Sequence, residues 1–149
     1  MEINPYEAPR ETSLPRELTQ SETTLYSFNQ IAIGGLIAGP LGGCYFLAQN
    51  YAASRHIRAA RLAFGIGLAL GTVTFFVGNT SNRFTVFALL PLPCLLVFLA
   101  SSKRLQLRLI VEHYYQHGRF ATWWEVLLIS LSLLFLQLGA VAGFDALFG

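Results

Sequence analysis

The chain has 149 residues, of which 54% are hydrophobic and 12% are charged, and its formal net charge is +2. Soluble domains carry about 25% charged residues, so this composition indicates a membrane protein rather than a soluble domain. The small net charge, with no basic stripe of interleaved aromatic residues, argues against nucleic acid as a partner.

The first 22 residues form an acidic tail that contains five Glu, two Arg and three Pro. This tail lacks the basic start and apolar core of a cleavable signal peptide, so we expect it to stay on the mature protein. Terminal segments of low hydrophobicity are typically mobile, which favours a leader. The alternative is an ordered strap that binds a partner through Tyr6.

Beyond the tail, short charged clusters separate four long stretches that contain no charged residue. About 20 helical residues cross the hydrocarbon of a bilayer, and these stretches offer no polar face wide enough to meet water. They predict four spans, at about residues 28–49, 62–82, 84–102 and 124–145. The predicted fold is therefore all-α, a four-helix transmembrane bundle formed by residues 23–149 behind a tail at 1–22.

Small residues recur at four-residue spacing in three of the four predicted spans. In lipid, a helix face without side chains allows a neighbouring helix to approach closely. The predicted helix-packing residues are Gly35, Gly39, Gly43, Gly67, Gly71, Gly139 and Gly143. Seams inside the bundle are the favoured interpretation, and contact with a second copy or a larger complex is the alternative.

Three prolines and one glutamine interrupt the apolar spans. Proline removes a backbone hydrogen bond, so Pro40 predicts a kink in the first span, and Pro91 and Pro93 predict a bend in the third. Gln137 lies well inside the fourth span, where its amide needs partners. We expect it to form an interhelical hydrogen bond, with contact to a substrate as the alternative.

Basic residues predict the orientation, because Lys and Arg accumulate in cytoplasmic loops. Seven of them fall in the first and third loops: Arg55, Arg58, Arg61, Lys103, Arg104, Arg108 and Arg119. Three fall in the tail and the second loop: Arg10, Arg16 and Arg83. This asymmetry predicts that both termini lie outside the cytoplasm and that both basic loops lie inside it.

The loop before the fourth span is rich in helix formers, so we expect the third helix to extend beyond the membrane on the cytoplasmic side. His113 and His117 stand four residues apart there and could join Glu112 or His56 at a metal ion. The motif lacks the Glu that directly follows the first His in zinc hydrolases. The favoured interpretation is therefore an interfacial helix face without a metal.

Two short motifs carry a resemblance to known proteins. Residues Asn4 to Pro9 have the form Asn-Pro-Tyr-x-x-Pro, and residues Gly39 to Asn50 have the form Gly-Pro-Leu-x-Gly-x-x-x-Leu-Ala-x-Asn. Both resemble patterns in small bacterial multi-span inner-membrane proteins. The resemblance implies a bacterial inner membrane, with Asn50 capping the cytoplasmic end of the first helix, and it brings no assigned activity.

The expected role is that of a non-catalytic integral membrane protein that acts through helix packing, as an accessory, assembly or immunity-type component. Its expected partners are the lipid bilayer and a membrane protein or a second copy of the chain. Asp, Glu, Lys, Arg and His are absent from the interior of all four predicted spans, so we predict no catalytic residue and no cofactor.

Two alternatives belong to other functional classes. One is a small transporter or channel component with the three kinking prolines and Gln137 near a passage. The other is a membrane enzyme with a site at the cytoplasmic face, formed by Glu112, His113 and His117.

Overall fold

The computed structural model describes residues 24–80, 91–115 and 118–148. Within these ranges there are four helices, which we number in chain order: α1 (Phe28–Ala53), α2 (Ile57–Thr80), α3 (Pro91–Tyr115) and α4 (Trp123–Phe148). The prediction of an all-α bundle is confirmed. The predictions for the tail and for His117 lie outside the described residues, as do residues 84–90 of the predicted third span.

Three stretches of helix are long and apolar enough to cross a membrane: Phe28–Ala53, Ile57–Val77 and Trp123–Phe144. In α2 and α4, most of these residues are not buried inside the protein, and large apolar side chains such as Leu68, Phe76 and Leu136 are exposed. Exposed apolar faces of this length indicate helices surrounded by lipid. The chain is a membrane protein.

Helix α1 is not a single rod, because it reverses direction at Gly39. The backbone N–H of Tyr26 donates to the Asn50 side-chain oxygen (2.7 Å), and the Asn50 amide donates to the Tyr26 carbonyl (2.8 Å). In a straight helix these residues would lie about 36 Å apart, at 1.5 Å per residue. Helix α1 is therefore a helical hairpin, with a first arm at 28–38 and a second arm at 40–53.

The reversal follows from the residues at the hairpin tip. Gly39 has φ 62° and ψ −156°, a backbone conformation that is essentially restricted to glycine. Pro40 follows it and starts the second arm without the N–H that a continuous helix would need. Gly34 lies against the ring of Phe46 and Gly42 lies against the Gly34 backbone, so the two arms approach closely.

The hairpin corrects the prediction for the first span. This span, at 28–49, does not cross from one end of the bundle to the other, because both ends of α1 meet at one end. The arms are about 16 and 21 Å long, so each reaches roughly halfway or somewhat more through a hydrocarbon core of about 30 Å. Tyr26 and the first loop therefore lie at the same end of the bundle, while the side on which the tail lies stays a prediction.

The hairpin is the centre of the bundle. In its most apolar window 67% of the residues are buried, against 11% in each of the corresponding windows of α2 and α4. Helices α2, α3 and α4 all pack on α1, and within the described ranges α3 packs on no other helix. Near their far ends α2 and α4 meet through the rings of Phe75 and Phe144, 5.6 Å apart.

The predicted packing glycines divide into two groups. A Cβ at Gly35 or Gly43 would lie 2.6 Å from the ring of Phe98, so one residue from each arm makes room for this α3 side chain. Gly67 of α2 lies against Cys44, and Gly71 has Leu41 at 3.5 Å. In contrast, a Cβ at any of three positions would meet no described atom within 4 Å: Gly39, Gly139 and Gly143.

Within the described chain these three glycines form no packed seam. This corrects the prediction for Gly39, while Gly139 and Gly143 stay candidates for contact with a second copy or a larger complex. Gly39 is needed for its conformation. Pro91 and Pro93 lie in the first turn of α3, and the residues before them lie outside the described ranges, so the bend predicted there stays a prediction. The first four N–H groups of a helix have no partner within it, so a proline there removes no helical hydrogen bond.

The hairpin tip gives the first test. We expect Gly39→Ala to lower the free energy of unfolding by about 1–3 kcal/mol, because alanine strongly disfavours this conformation although space surrounds it. Gly65→Ala is the matched control, since it places alanine in open space on helix α2. It should be neutral or stabilising by up to about 1 kcal/mol. Reversible unfolding in mixed micelles, followed by circular dichroism, measures both, and equal effects would contradict the left-handed turn.

Candidate functional site at the base of the hairpin

Polar side chains gather where the two arms of α1 end. Asn50 is fully buried, and besides its two bonds to Tyr26 its amide donates to the Gln106 side-chain oxygen of α3 (2.8 Å). The Gln106 amide donates in turn to the Leu47 carbonyl (2.9 Å). This base cluster of Tyr26, Asn50 and Gln106 fastens both ends of the hairpin to α3. Asn50 does not cap the helix end, which is at Ser54.

A capping box starts the first arm and ties it to the chain before α4. Ser27 is the N-cap, with the Gln30 N–H donating to its hydroxyl (3.4 Å) and its own N–H donating to the Gln30 side chain (2.8 Å). The Gln30 amide also donates to the Ala121 carbonyl (2.6 Å). A short bridge joins Leu25 to Phe120. The start of α1 and the approach to α4 therefore form one unit.

His113, which the sequence suggested as a metal ligand, contacts the segment that leads into α4. Its Nε2 donates to the Arg119 carbonyl (2.9 Å), and its ring packs edge-on against Phe120. Gly118 lies directly against the imidazole, where a Cβ would collide with the ring. In the part of the chain that the structure describes, no three His, Cys, Asp or Glu side chains converge on a metal position. His113 here holds the turn after α3.

Gln137 reaches the opposite end of the hairpin. Its amide donates to the Ala38 carbonyl at the tip (3.0 Å) and to the Leu133 carbonyl of its own helix (3.2 Å). The non-helical residue Gly39 interrupts the hydrogen-bond ladder at the tip, which leaves carbonyls that need a donor. Gln137 supplies one from α4, so its contact is with the backbone of α1.

A groove of about 410 Å³ opens beside the base cluster. It lies between the second arm and α4, and Thr24 and Tyr26 complete its lining. The helix residues that line it recur at four-residue spacing, so each helix contributes a single face: Tyr45, Gln49 and Ala53 from the second arm, and Glu125 and Ile129 from α4. We call this the base groove.

Glu125 and Tyr26 form the polar pair of the base groove. The buried Tyr26 hydroxyl donates to Glu125 Oε1 (3.0 Å). Burial, followed by the hydrogen bond and the charge of Glu125, raises the pKa of Tyr26 well above its ordinary value, so the hydroxyl stays protonated. Within the described ranges, no Lys, Arg or His forms an ion pair with this carboxylate.

The first turn of α4 fixes the position of Glu125. Its N–H donates to the Thr122 hydroxyl (3.3 Å), and the positive end of the helix dipole stabilises a carboxylate there. The spacing of Thr122 and Glu125 is a capping signal, but the pairing with Tyr26 could not be found without the hairpin.

The side chains of the base cluster bond to groups within the protein: the Asn50 amide to Tyr26 and Gln106, and the Gln106 amide to Leu47. Glu112, His113 and His56 do not come together as a site. No family model, curated protein or solved structure matches the chain. The interpretation therefore depends on the geometry of this chain alone.

Removal of the Asn50 side chain tests the base cluster. We expect Asn50→Ala to lower the free energy of unfolding by roughly 3 kcal/mol or more, because each buried group that loses its partner costs about 1–3 kcal/mol. Three groups lose one: the N–H and carbonyl of Tyr26 and the oxygen of Gln106.

The neighbouring exposed residue supplies the control. Gln49→Ala truncates an amide of similar size that lies outside the base cluster. Its free energy of unfolding should therefore be close to that of the wild type. The two variants are compared by thermal unfolding in the same detergent. If Asn50→Ala is no less stable than Gln49→Ala, the Asn50 amide does not hold the hairpin closed.

Proposed function

We propose that the chain is a non-catalytic protein of the bacterial inner membrane that acts through helix packing, as an accessory, assembly or immunity-type component. The main support is the outer surface of α4. Gly139 and Gly143 are exposed there, and a Cβ at either would meet no described atom within 4 Å. In lipid, such small-residue faces pack against another helix.

The polar interior supports the same proposal. The buried amides of Gln30, Asn50 and Gln106 all bond within the protein, so they hold the hairpin and are not free for a substrate. An enzyme needs an acid, base or nucleophile aimed at a reacting atom. A scaffold for contacts with neighbours needs only a rigid core and open helix faces.

The second class, a transporter or channel component, draws on the hairpin itself. Backbone that turns at membrane depth is tolerated where it is buried in protein or lines a cavity, and broken helices bind solutes in transporters. Here the tip is closed by Gln137, whose amide is already bonded to Ala38 and Leu133. The accessory role is therefore the stronger proposal. Solute flux in liposomes that Gln137→Leu abolishes would reverse this ranking.

The hairpin also changes the proposed orientation. The ends of α1, the first loop and the loop before α4 meet at one end of the bundle, which we assign to the cytoplasm. Nine of the ten Lys and Arg residues then belong to that side, with Arg83 as the exception. We assign the three crossings of this proposal to α2, α3 and α4, which gives an N-terminus inside and a C-terminus outside.

Cysteine labelling in intact cells tests this orientation. The native Cys44 and Cys94 are buried and are replaced by alanine, and single cysteines are then introduced. We expect a membrane-impermeant maleimide to label Leu147→Cys directly. Both Ser13→Cys and His56→Cys should react only after the cells are permeabilised.

The control is internal, because the variants share one background and one reagent. A first helix that crossed the membrane would put residues 13 and 56 on opposite sides. Labelling of Ser13→Cys but not of His56→Cys in intact cells would therefore overturn the hairpin topology. Labelling of both, with Leu147→Cys protected, would reverse the orientation and keep the hairpin.

Affinity purification in mild detergent, with mass spectrometry, tests the functional proposal. We expect a stoichiometric membrane-protein partner to copurify and to be lost with Gly139→Leu, because leucine blocks close helix approach. Gly65→Leu is the matched control, since Gly65 is also exposed on a lipid-facing helix with open space around it. Purification as a lone monomer, or equal loss in both variants, would contradict the proposal.

A further inference from the structure

The base groove lies at the level where lipid headgroups are found. Glu125 directly follows Trp123 and Trp124, which are 51% and 76% exposed. Paired exposed indoles at the start of an apolar helix mark the boundary between headgroups and hydrocarbon. The groove is therefore reached from the membrane interface.

Glu125 is the one charged residue among those that line the base groove. Glu125 supplies a carboxylate whose described partner is the Tyr26 hydroxyl at one oxygen, Oε1. A carboxylate accepts several hydrogen bonds, so its second oxygen can take another donor. The aromatic ring of Tyr45 lines the same groove, and a cation within about 6 Å of such a ring is attracted to its face. This part of the groove suits a small cation.

The rest of the wall is neutral and capable of donating hydrogen bonds. Thr24 and Gln49 are both exposed and contribute a hydroxyl and an amide. These groups suit an anionic oxygen such as that of a phosphodiester. Ile129 continues the wall one turn deeper along α4, and Leu128 beside it is 65% exposed. An acyl chain can therefore follow α4 away from the groove.

We propose that the base groove binds phosphatidylethanolamine, with the primary ammonium group at Glu125 and Tyr45 and the phosphodiester at Gln49 and Thr24. The volume of about 410 Å³ lies within the roughly 300–1,000 Å³ that is usual for small-ligand sites. The acyl chains lie on the apolar surface of α4. The site is separate from the Gly139 face, so it holds or fails independently of the accessory function.

The chemistry selects among the common headgroups. A primary ammonium has three N–H donors for the carboxylate, whereas the quaternary ammonium of choline has none and is too large to approach as closely. A glycerol headgroup has no cation, so its phosphate leaves the lipid anionic beside Glu125. The expected order of affinity is ethanolamine, then choline, then glycerol.

The experiment is native mass spectrometry of the full chain in detergent, titrated separately with dioleoyl lipids that carry each of the three headgroups. We expect the ethanolamine lipid to bind at least about tenfold more tightly than the choline lipid. The choline headgroup has no N–H, so it cannot form the charge-assisted hydrogen bond to the Glu125 carboxylate. Glu125→Gln should remove this difference. Equal binding of the ethanolamine and choline lipids to the wild type would overturn the proposal.

Two further variants locate the effect. Glu112→Gln removes an exposed carboxylate of α3 that does not line the groove, so its headgroup preference should match the wild type. Gln49→Ala changes an exposed side chain of the groove, so we expect this variant to fold. It can therefore test the site even if Glu125→Gln unfolds. It should weaken binding of the ethanolamine lipid a few-fold, and an unchanged affinity would contradict the phosphodiester contact.

Soluble phosphoethanolamine distinguishes the lipid from its headgroup alone. It should compete only at a large excess, because the acyl chains contribute most of the affinity through their apolar area. Competition at concentrations equal to those of the lipid would overturn the assignment to a membrane lipid and would indicate a soluble amine as the ligand.

Discussion

The pair of hydrogen bonds between Asn50 and the backbone of Tyr26 is the constraint on which the bundle depends. They close a helical hairpin whose two ends would otherwise be free, and they do so inside the protein, where an unpaired N–H or carbonyl is costly. The Gln106 amide completes the set by joining Asn50 to the Leu47 carbonyl. A purely apolar side chain at position 50 could not satisfy the backbone at the start of the hairpin.

Once the hairpin is closed, the rest of the bundle can assemble around it. Helices in lipid gain little from apolar burial, so close packing and buried hydrogen bonds must hold them together. The hairpin provides both: Gly35 and Gly43 from opposite arms admit Phe98 of α3, and the tip carbonyl of Ala38 receives the Gln137 amide of α4. These contacts explain why α2, α3 and α4 all pack on α1 while their own outer faces are left to lipid.

The all-α class was predictable, because uncharged stretches of about 20 residues have few other stable forms in a membrane chain. The reversal at Gly39 was not, since apolar length is the same for a rod and for two antiparallel arms. One signal was present in the sequence. The Gly34-Gly35 pair and the Gly42-Gly43 pair lie at equal distances on either side of Ala38 and Gly39. The sequence interpretation treated Gly35, Gly39 and Gly43 as one face of a single helix kinked at Pro40, whereas Gly39 is the turn and the other two belong to opposite arms.

The candidate site was harder to predict for the same reason. Tyr26 and Glu125 are 99 positions apart, and they meet only because the hairpin returns Asn50 to Tyr26 while the Leu25 bridge brings in the start of α4. Glu125 is thereby placed at the headgroup level with one oxygen held by a buried tyrosine. The amides of the base are committed to holding the fold, so among the described groups this carboxylate is the one best placed to act on something outside the protein. Recognition of a cationic headgroup uses that carboxylate without disturbing any bond on which the hairpin depends.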